Sequence, residues 1–179
     1  TGFHINRIIS LMEAQQNNVE YPYLFWNQNY NFGYPTPIFY CNLFLYWPAA
    51  LLTDGMLPVL VYKKYVFGLV WIATMMIGLC SYKVSKRSGY AAILAMLLFM
   101  LNTHSITDIL RRGGLGELLA LVFIPICLAG IYQTMYKDSR RWIWLAVGYC
   151  GLVLSHNISF ILMCIVFAVF ALINMKKLW

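Results

Sequence analysis

Charge is what this sequence has least of. Asp, Glu, Lys and Arg make up 11% of the 179 residues, against about 25% in a soluble domain. Acids are scarcer still, six against thirteen bases. That composition excludes an ordinary soluble globular domain. Other absences exclude reaction classes. No Walker loop, G-x-S-x-G or H-E-x-x-H stretch is present, so no phosphate-cradling NTPase loop, nucleophile elbow or zinc-protease helix is encoded. A Ser/His/Asp triad can be assembled only from loose residues. No C-x-x-C pair occurs either. The five cysteines are scattered, four of them inside apolar runs and Cys41 in an aromatic-rich one. They read as small buried hydrophobes rather than metal ligands or a disulfide frame. Alternating polar and apolar residues separated by turns, the mark of a membrane barrel, are also missing. The chain opens at Thr1 with neither methionine nor signal peptide, and so reads as a fragment lacking at least one upstream segment.

What is there is apolar: 61% of residues are hydrophobic and 17% aromatic. A bilayer core of ~30 Å needs about 20 helical residues. Tyr65–Tyr82, Tyr90–Ile106, Leu115–Tyr136, Trp142–Ser155 and Ile158–Met175 approach that length, which predicts an all-α, polytopic transmembrane bundle of about five spans. Residues 65–179 form the bundle and residues 1–64 an outer loop with amphipathic or interfacial helices. Pro37–Leu52 is the ambiguous stretch. As a helix it reaches only about 24 Å, and it carries Asn42 and Pro48. If it does not span, Lys83, Lys86, Arg87, Lys137, Arg140, Arg141, Lys176 and Lys177 share one side with Asp138, for a net +7, and the other side is neutral. The positive-inside rule makes the basic side cytoplasmic. If it spans, the N-terminal segment moves to the cytoplasmic side. The non-spanning arrangement is preferred because it groups the polar, aromatic residues 1–34 with the other outer segments. The basic clusters alternate with apolar runs, so the net charge of +7 points to membrane topology and not to nucleic acid.

In this topology all three histidines, His4, His104 and His156, lie at the outer face. Chemistry is therefore expected there. "TGFHINRIISLMEAQQ" forms an amphipathic helix with Phe3, Ile8, Leu11 and Met12 on its apolar side. His4 and Arg7, three residues apart, project together. They make either a headgroup-contacting face or an anion-facing pair. "YPYLFWNQNYNFGYPTPIFY" suits neither helix nor strand. Its aromatics favour a membrane interface, yet Trp26, Asn29, Tyr34 and Tyr40 are also the residue types that contact a sugar or a lipid. In "NTHSITDILRRGGLGELLAL", Gly113, Gly114 and Gly116 interrupt the helix, and Glu117 falls in the first turn of the next one. Glu117 either pairs with Arg111 or Arg112, or these charges form a site. Arginines ahead of free backbone N–H groups suit a phosphate. Asp108, Glu117 and the histidines offer ligands to a divalent ion, at no diagnostic spacing. In "LSHNIS", His156 and Asn157 mark an outer turn. Its Asn157–Ser159 glycosylation sequon lies too close to the membrane to count.

Four stretches in order, "FHINRI", "NFGYPTPIFY", "LRRGGLGELLALVFIPICLAGIY" and "LSHNISFIL", give the chain a likeness. It resembles the bacterial polytopic membrane proteins labelled "6-pyruvoyl-tetrahydropterin synthase-related". These are similar to the GT-C superfamily of glycosyltransferases and to YfhO-like membrane proteins. The resemblance covers nearly the whole chain and implies no pterin chemistry. It implies a bacterial plasma-membrane protein with a large outer loop, a polyprenyl-phosphate sugar donor and an acid near the start of that loop. That acid would precede the position matched here by His4, where the chain has already begun. The resemblance also implies more spans than five, so C-terminal sequence is expected to be missing as well.

The expectation is thus a fragment of a GT-C-like glycosyltransferase, moving a sugar from polyprenyl phosphate to a cell-envelope acceptor. Arg7, Arg111 and Arg112 are its candidate phosphate contacts. His4, Glu117, Asp108 and His156 are candidates for proton transfer, for metal binding or for orienting an arginine. The alternative is a non-enzymatic scaffold or lipid-handling protein of the same fold. A transporter ranks third, because no span carries a mid-membrane ionisable pair.

Overall fold

The computed structural model describes residues 2–137, 140 and 142–174. Asp138, Arg141, Met175, Lys176 and Lys177, which enter the topology above, lie outside the described residues. Every regular element among the described residues is helical, apart from one isolated bridge between Phe25 and Tyr34. The chain forms two compact units, Thr1–Gly68 and Leu69–Trp179.

The first unit begins with α1 (Gly2–Gln16). Its buried stripe is Arg7, Ile8, Ser10 and Leu11, and α1 packs on α3 (Tyr46–Thr53). The sequence puts Phe3 on the apolar side of this helix, but Phe3 is 43% exposed and Arg7 only 4%. The stripe is rotated toward the polar residues because Ser10 Oγ and the Arg7 Nη atoms find hydrogen-bond partners inside the unit. Asn18 closes α1 in the left-handed conformation (φ +58°), with the Val19 N–H bonded to the Ala14 carbonyl, a common helix ending. Residues 20–35 then run without helix. Pro37–Leu52, the ambiguous stretch, is broken into α2 (Thr36–Phe39), a 3₁₀ turn (Leu43–Leu45) and α3. Its longest apolar helical piece, Leu43–Thr53, covers roughly 16 Å at 1.5 Å per residue. That is half of a bilayer core of ~30 Å.

α4 (Pro58–Val84) starts on a proline, which costs a first-turn residue nothing because its missing N–H has no intrahelical partner there. α7 (Leu115–Tyr136) is the central helix of the second unit. It packs against α8 (Trp142–Val153) and α9 (Asn157–Ile173) around Ala120, Cys127, Ile131, Leu152 and Met163. It also meets Ala73 and Cys80 of α4 and Phe99 of α5 (Gly89–Leu101). Glycines let α7 and α8 approach backbone to backbone. A Cβ on Gly130 would lie 2.6 Å from Leu145 N, and one on Gly148 2.7 Å from Cys127 N. Small residues at such a seam are a membrane-helix device.

Among the described residues two helices, α4 and α7, are long and apolar enough to cross a membrane, and a bent pair formed by Gly89–Leu101 and Thr103–Arg112 makes a third if it is one span. α8 has 12 residues and α9 has 17 among those described, so they extend roughly 18 and 25 Å. The bend of the pair, 45°, is built at Asn102. Asn102 ends α5 and its side chain accepts the His104 N–H at 2.8 Å, starting α6 (Thr103–Thr107). The outward faces of α5 and α9 are largely apolar. Leu98, Leu101, Ile158, Ile161, Leu172 and Ile173 are all more than half exposed. A surface of that kind in water marks a region made to be covered, and lipid covers it in a membrane protein.

Candidate functional site

The candidate residues fall into two clusters, one in each unit. In the first, Arg7 is a buried cation held entirely by neutral groups. Its Nη2 donates to Asn42 Oδ1 at 2.7 Å and to the Cys41 carbonyl at 3.3 Å. Its Nη1 donates to His4 Nδ1 at 3.4 Å. Its guanidinium lies 5.1 Å from the Tyr40 ring centroid and 5.8 Å from that of Phe3, within cation–π range. Nε has no hydrogen-bond partner among the described residues. No described carboxylate forms an ion pair with Arg7.

Burial lowers the Arg7 pKa to about 10, which leaves it charged at neutral pH. Burial, and then the Arg7 charge, push His4 down to about 4. His4 is therefore a neutral acceptor for the arginine and a weak base. A buried, uncompensated guanidinium is costly unless an anion meets it.

Beside α1 lies a cavity of about 580 Å³, lined among others by Phe3, Asn6, Ser10, Asn27, Gln28 and Asn29, with Tyr30 and Tyr34. Its walls are built by a chain of hydrogen bonds. Asn27 Nδ2 donates to Glu13 Oε2 at 2.7 Å, and Ser10 Oγ donates to Asn27 Oδ1 at 2.6 Å. Gln28 Nε2 donates to Ser10 Oγ at 3.1 Å, and Thr36 Oγ1 donates to Gln28 Oε1 at 2.9 Å. The loop is closed by the Phe25–Tyr34 bridge and turns at Gly33, whose φ of +83° favours glycine. Of the four residues expected to contact sugar or lipid, Asn29 and Tyr34 line this cavity. Tyr40 stacks near Arg7 instead, and Trp26 is exposed. Asn6, Ser10, Asn27 and Gln28 were not singled out from the sequence. Asn6 and Ser10 are four apart on α1, and that spacing was the available signal.

The second cluster surrounds the start of α7. A π turn (Asp108–Arg112) ends at Gly113, with φ +63°. Arg112 holds Glu117 through two hydrogen bonds, Nη2 to Oε1 at 2.9 Å and Nη1 to Oε2 at 3.1 Å. His104 Nε2 stands 3.9 Å from Glu117 Oε2. Of the two partners open to Glu117, the structure selects Arg112, so this arginine is neutralised. Arg111 is exposed. Asp108 is 2% exposed and keeps Oδ1 without a hydrogen-bond partner. Its carboxylate packs against Gly114, where a Cβ would lie 2.5 Å from Oδ1, so an acid and not an open anion site stands beside this backbone. His156 packs on the same turn, since a Cβ on Gly116 would lie 3.1 Å from its Cδ2, and its Nδ1 is 2.8 Å from Ser159 Oγ. Among the described residues no three His, Cys, Asp or Glu side chains gather as a metal site.

The chain matches no protein-family model, no curated protein and no solved structure. The likeness carried by its four motifs thus rests on those motifs.

Proposed function

We propose that this chain belongs to an integral-membrane, GT-C-like glycosyltransferase of a bacterial plasma membrane, with more spans than its two or three longest helices. It would take a sugar from polyprenyl phosphate and pass it to an envelope acceptor. The observation that supports this reading is Arg7, a buried charge with no described carboxylate partner, standing among aromatic rings of which one, Phe3, lines an amide-rich cavity. In an inverting transfer the acceptor oxygen bonds to the sugar carbon as the bond to the phosphate oxygen breaks. The acceptor proton passes to a base, and the phosphate leaves with the electron pair. Arg7 is assigned to the developing negative charge on that phosphate. Asn and Gln side chains in the cavity suit sugar hydroxyls, and ring faces suit the apolar side of a pyranose. His4, with its pKa near 4 and its Nδ1 engaged by Arg7, is assigned to orient the arginine rather than to carry the proton.

The test is polyprenyl-phosphate binding by the purified full-length protein and its Arg7→Gln and Arg7→Lys variants. Arg7→Gln is expected to weaken binding about tenfold or more, as loss of a charge-assisted contact does, with Arg7→Lys retaining part of it. Undiminished binding by a well-folded Arg7→Gln protein would remove the assignment.

The second reading is a lipid-phosphate-handling protein without turnover. What favours it is that Glu117 is committed to Arg112 and that His4 is a weak base, so two of the acid–base candidates are engaged elsewhere. Release of free sugar or glycosylated acceptor from a polyprenyl-phosphate sugar separates the two. Binding without product supports the second.

A further inference from the structure

α4 and α7, both long enough to cross a bilayer, end beside one cavity of the second unit. α4 stops at Val84 and α7 at Tyr136, and α8 begins nearby at Trp142. The cavity encloses about 780 Å³. Three cations, Lys83, Arg87 and Lys137, line it together with the aromatics Tyr82, Tyr132 and Trp144. No carboxylate is among its described lining residues, and no described ion pair involves any of the three cations. Lys83 is held in place by stacking, with its Nζ 3.4 Å from the Trp144 ring centroid. Arg87 is presented by an unusual turn. Lys86 and Arg87 are consecutive non-glycine residues at φ +55° and +67°, and the Arg87 N–H bonds to the Tyr82 carbonyl at 2.9 Å. Two adjacent bulky residues rarely adopt that conformation, and such outliers concentrate at ligand-binding sites.

Cations at helix C-termini also complement the helix dipole, which is the simpler account of each residue alone. It does not explain why three of them line one cavity with three aromatics. Basic cavities between membrane helices suit acidic lipid headgroups, and Tyr and Trp favour the level of the headgroups. We propose that this cavity binds the phosphate diester of an anionic phospholipid, with Lys83, Arg87 and Lys137 meeting the phosphate and the aromatic rings meeting the glycerol and upper acyl chains. This site is independent of Arg7 and of the reaction proposed above.

The test is lipid binding by native mass spectrometry of the purified full chain, with dioleoyl-phosphatidylglycerol and dioleoyl-phosphatidylcholine as probes. The wild type is expected to prefer the anionic lipid by about tenfold or more. Lys83→Gln, Arg87→Gln and Lys137→Gln should each weaken it about fivefold. Together they should abolish the preference, while Lys63→Gln with Lys64→Gln, near the start of α4, should leave it intact. If the triple variant fails to fold, the Lys83→Gln and Lys83→Arg pair decides, with loss in the first and retention in the second. Equal binding of both lipids by the wild type overturns the proposal, and so does a preference that survives the substitutions. Displacement of the lipid by equimolar glycerol phosphate would also overturn it, by making the site one for soluble phosphate.

Discussion

Arg112 and Glu117 grip each other through two near-parallel hydrogen bonds, across the two glycines that separate the π turn from α7. The pair is partly solvated, so its coupling is expected to be about 0.5–1 kcal/mol. Arg112→Gln and Glu117→Gln should each lower the thermal midpoint in detergent, and the double variant should be little worse than either single one. Additive losses would show that the two side chains do not act together. If Arg112 served a phosphate instead, removing Glu117 would strengthen polyprenyl-phosphate binding.

Gly114 is fixed by its neighbour rather than by a need for unusual φ. A Cβ at this position would lie 2.5 Å from Asp108 Oδ1, too close without movement of a buried carboxylate. Gly114→Ala is expected to destabilise the second unit by about 1–3 kcal/mol. Asp108→Ala in the same chain should recover much of that loss, because the clash goes with the carboxylate. Thermal unfolding of the two single variants and the double variant measures both effects.

His4 gives the first unit a pH dependence. Its folded pKa, about 4, lies below the ordinary 6.5, so the unfolded chain binds the extra proton first. The stabilising contribution is complete above pH 6.5 and is lost progressively as pH falls toward 4. His4→Gln should flatten the difference in thermal midpoint between pH 7 and pH 4.5 relative to the wild type. Identical slopes for the two proteins would contradict this.

Local features of the chain were legible in its sequence. Apolar length disclosed α4 and α7, the short length of Pro37–Leu52 with its Asn42 and Pro48 favoured a non-spanning segment, and Glu117 was placed in the first turn of α7. The His4–Arg7 spacing gave their shared face. What escaped depends on partners far along the chain. Nothing near Arg7 says that Asn42 and the Cys41 carbonyl will receive it. Nothing near Ser10 says that Asn27 and Gln28 will converge on its hydroxyl. Hydropathy reports an apolar run and not where a helix stops, so an apolar run and its helix need not share bounds. The run from Trp142 ends as helix at Val153, ahead of the Ser155–His156 turn.

The glycine seam between α7 and α8 bears on how the protein is made. Among the described residues α8 has 12 residues, roughly 18 Å of helix, against a bilayer core of ~30 Å. Backbone contact at Gly130 and Gly148 ties it along α7. α7 precedes α8 in the chain, and its glycine seam offers a surface on which α8 is expected to be retained once made. A bulky side chain at Gly148 would then act as a defect of biogenesis, seen as α8 left accessible to protease while α7 remains protected.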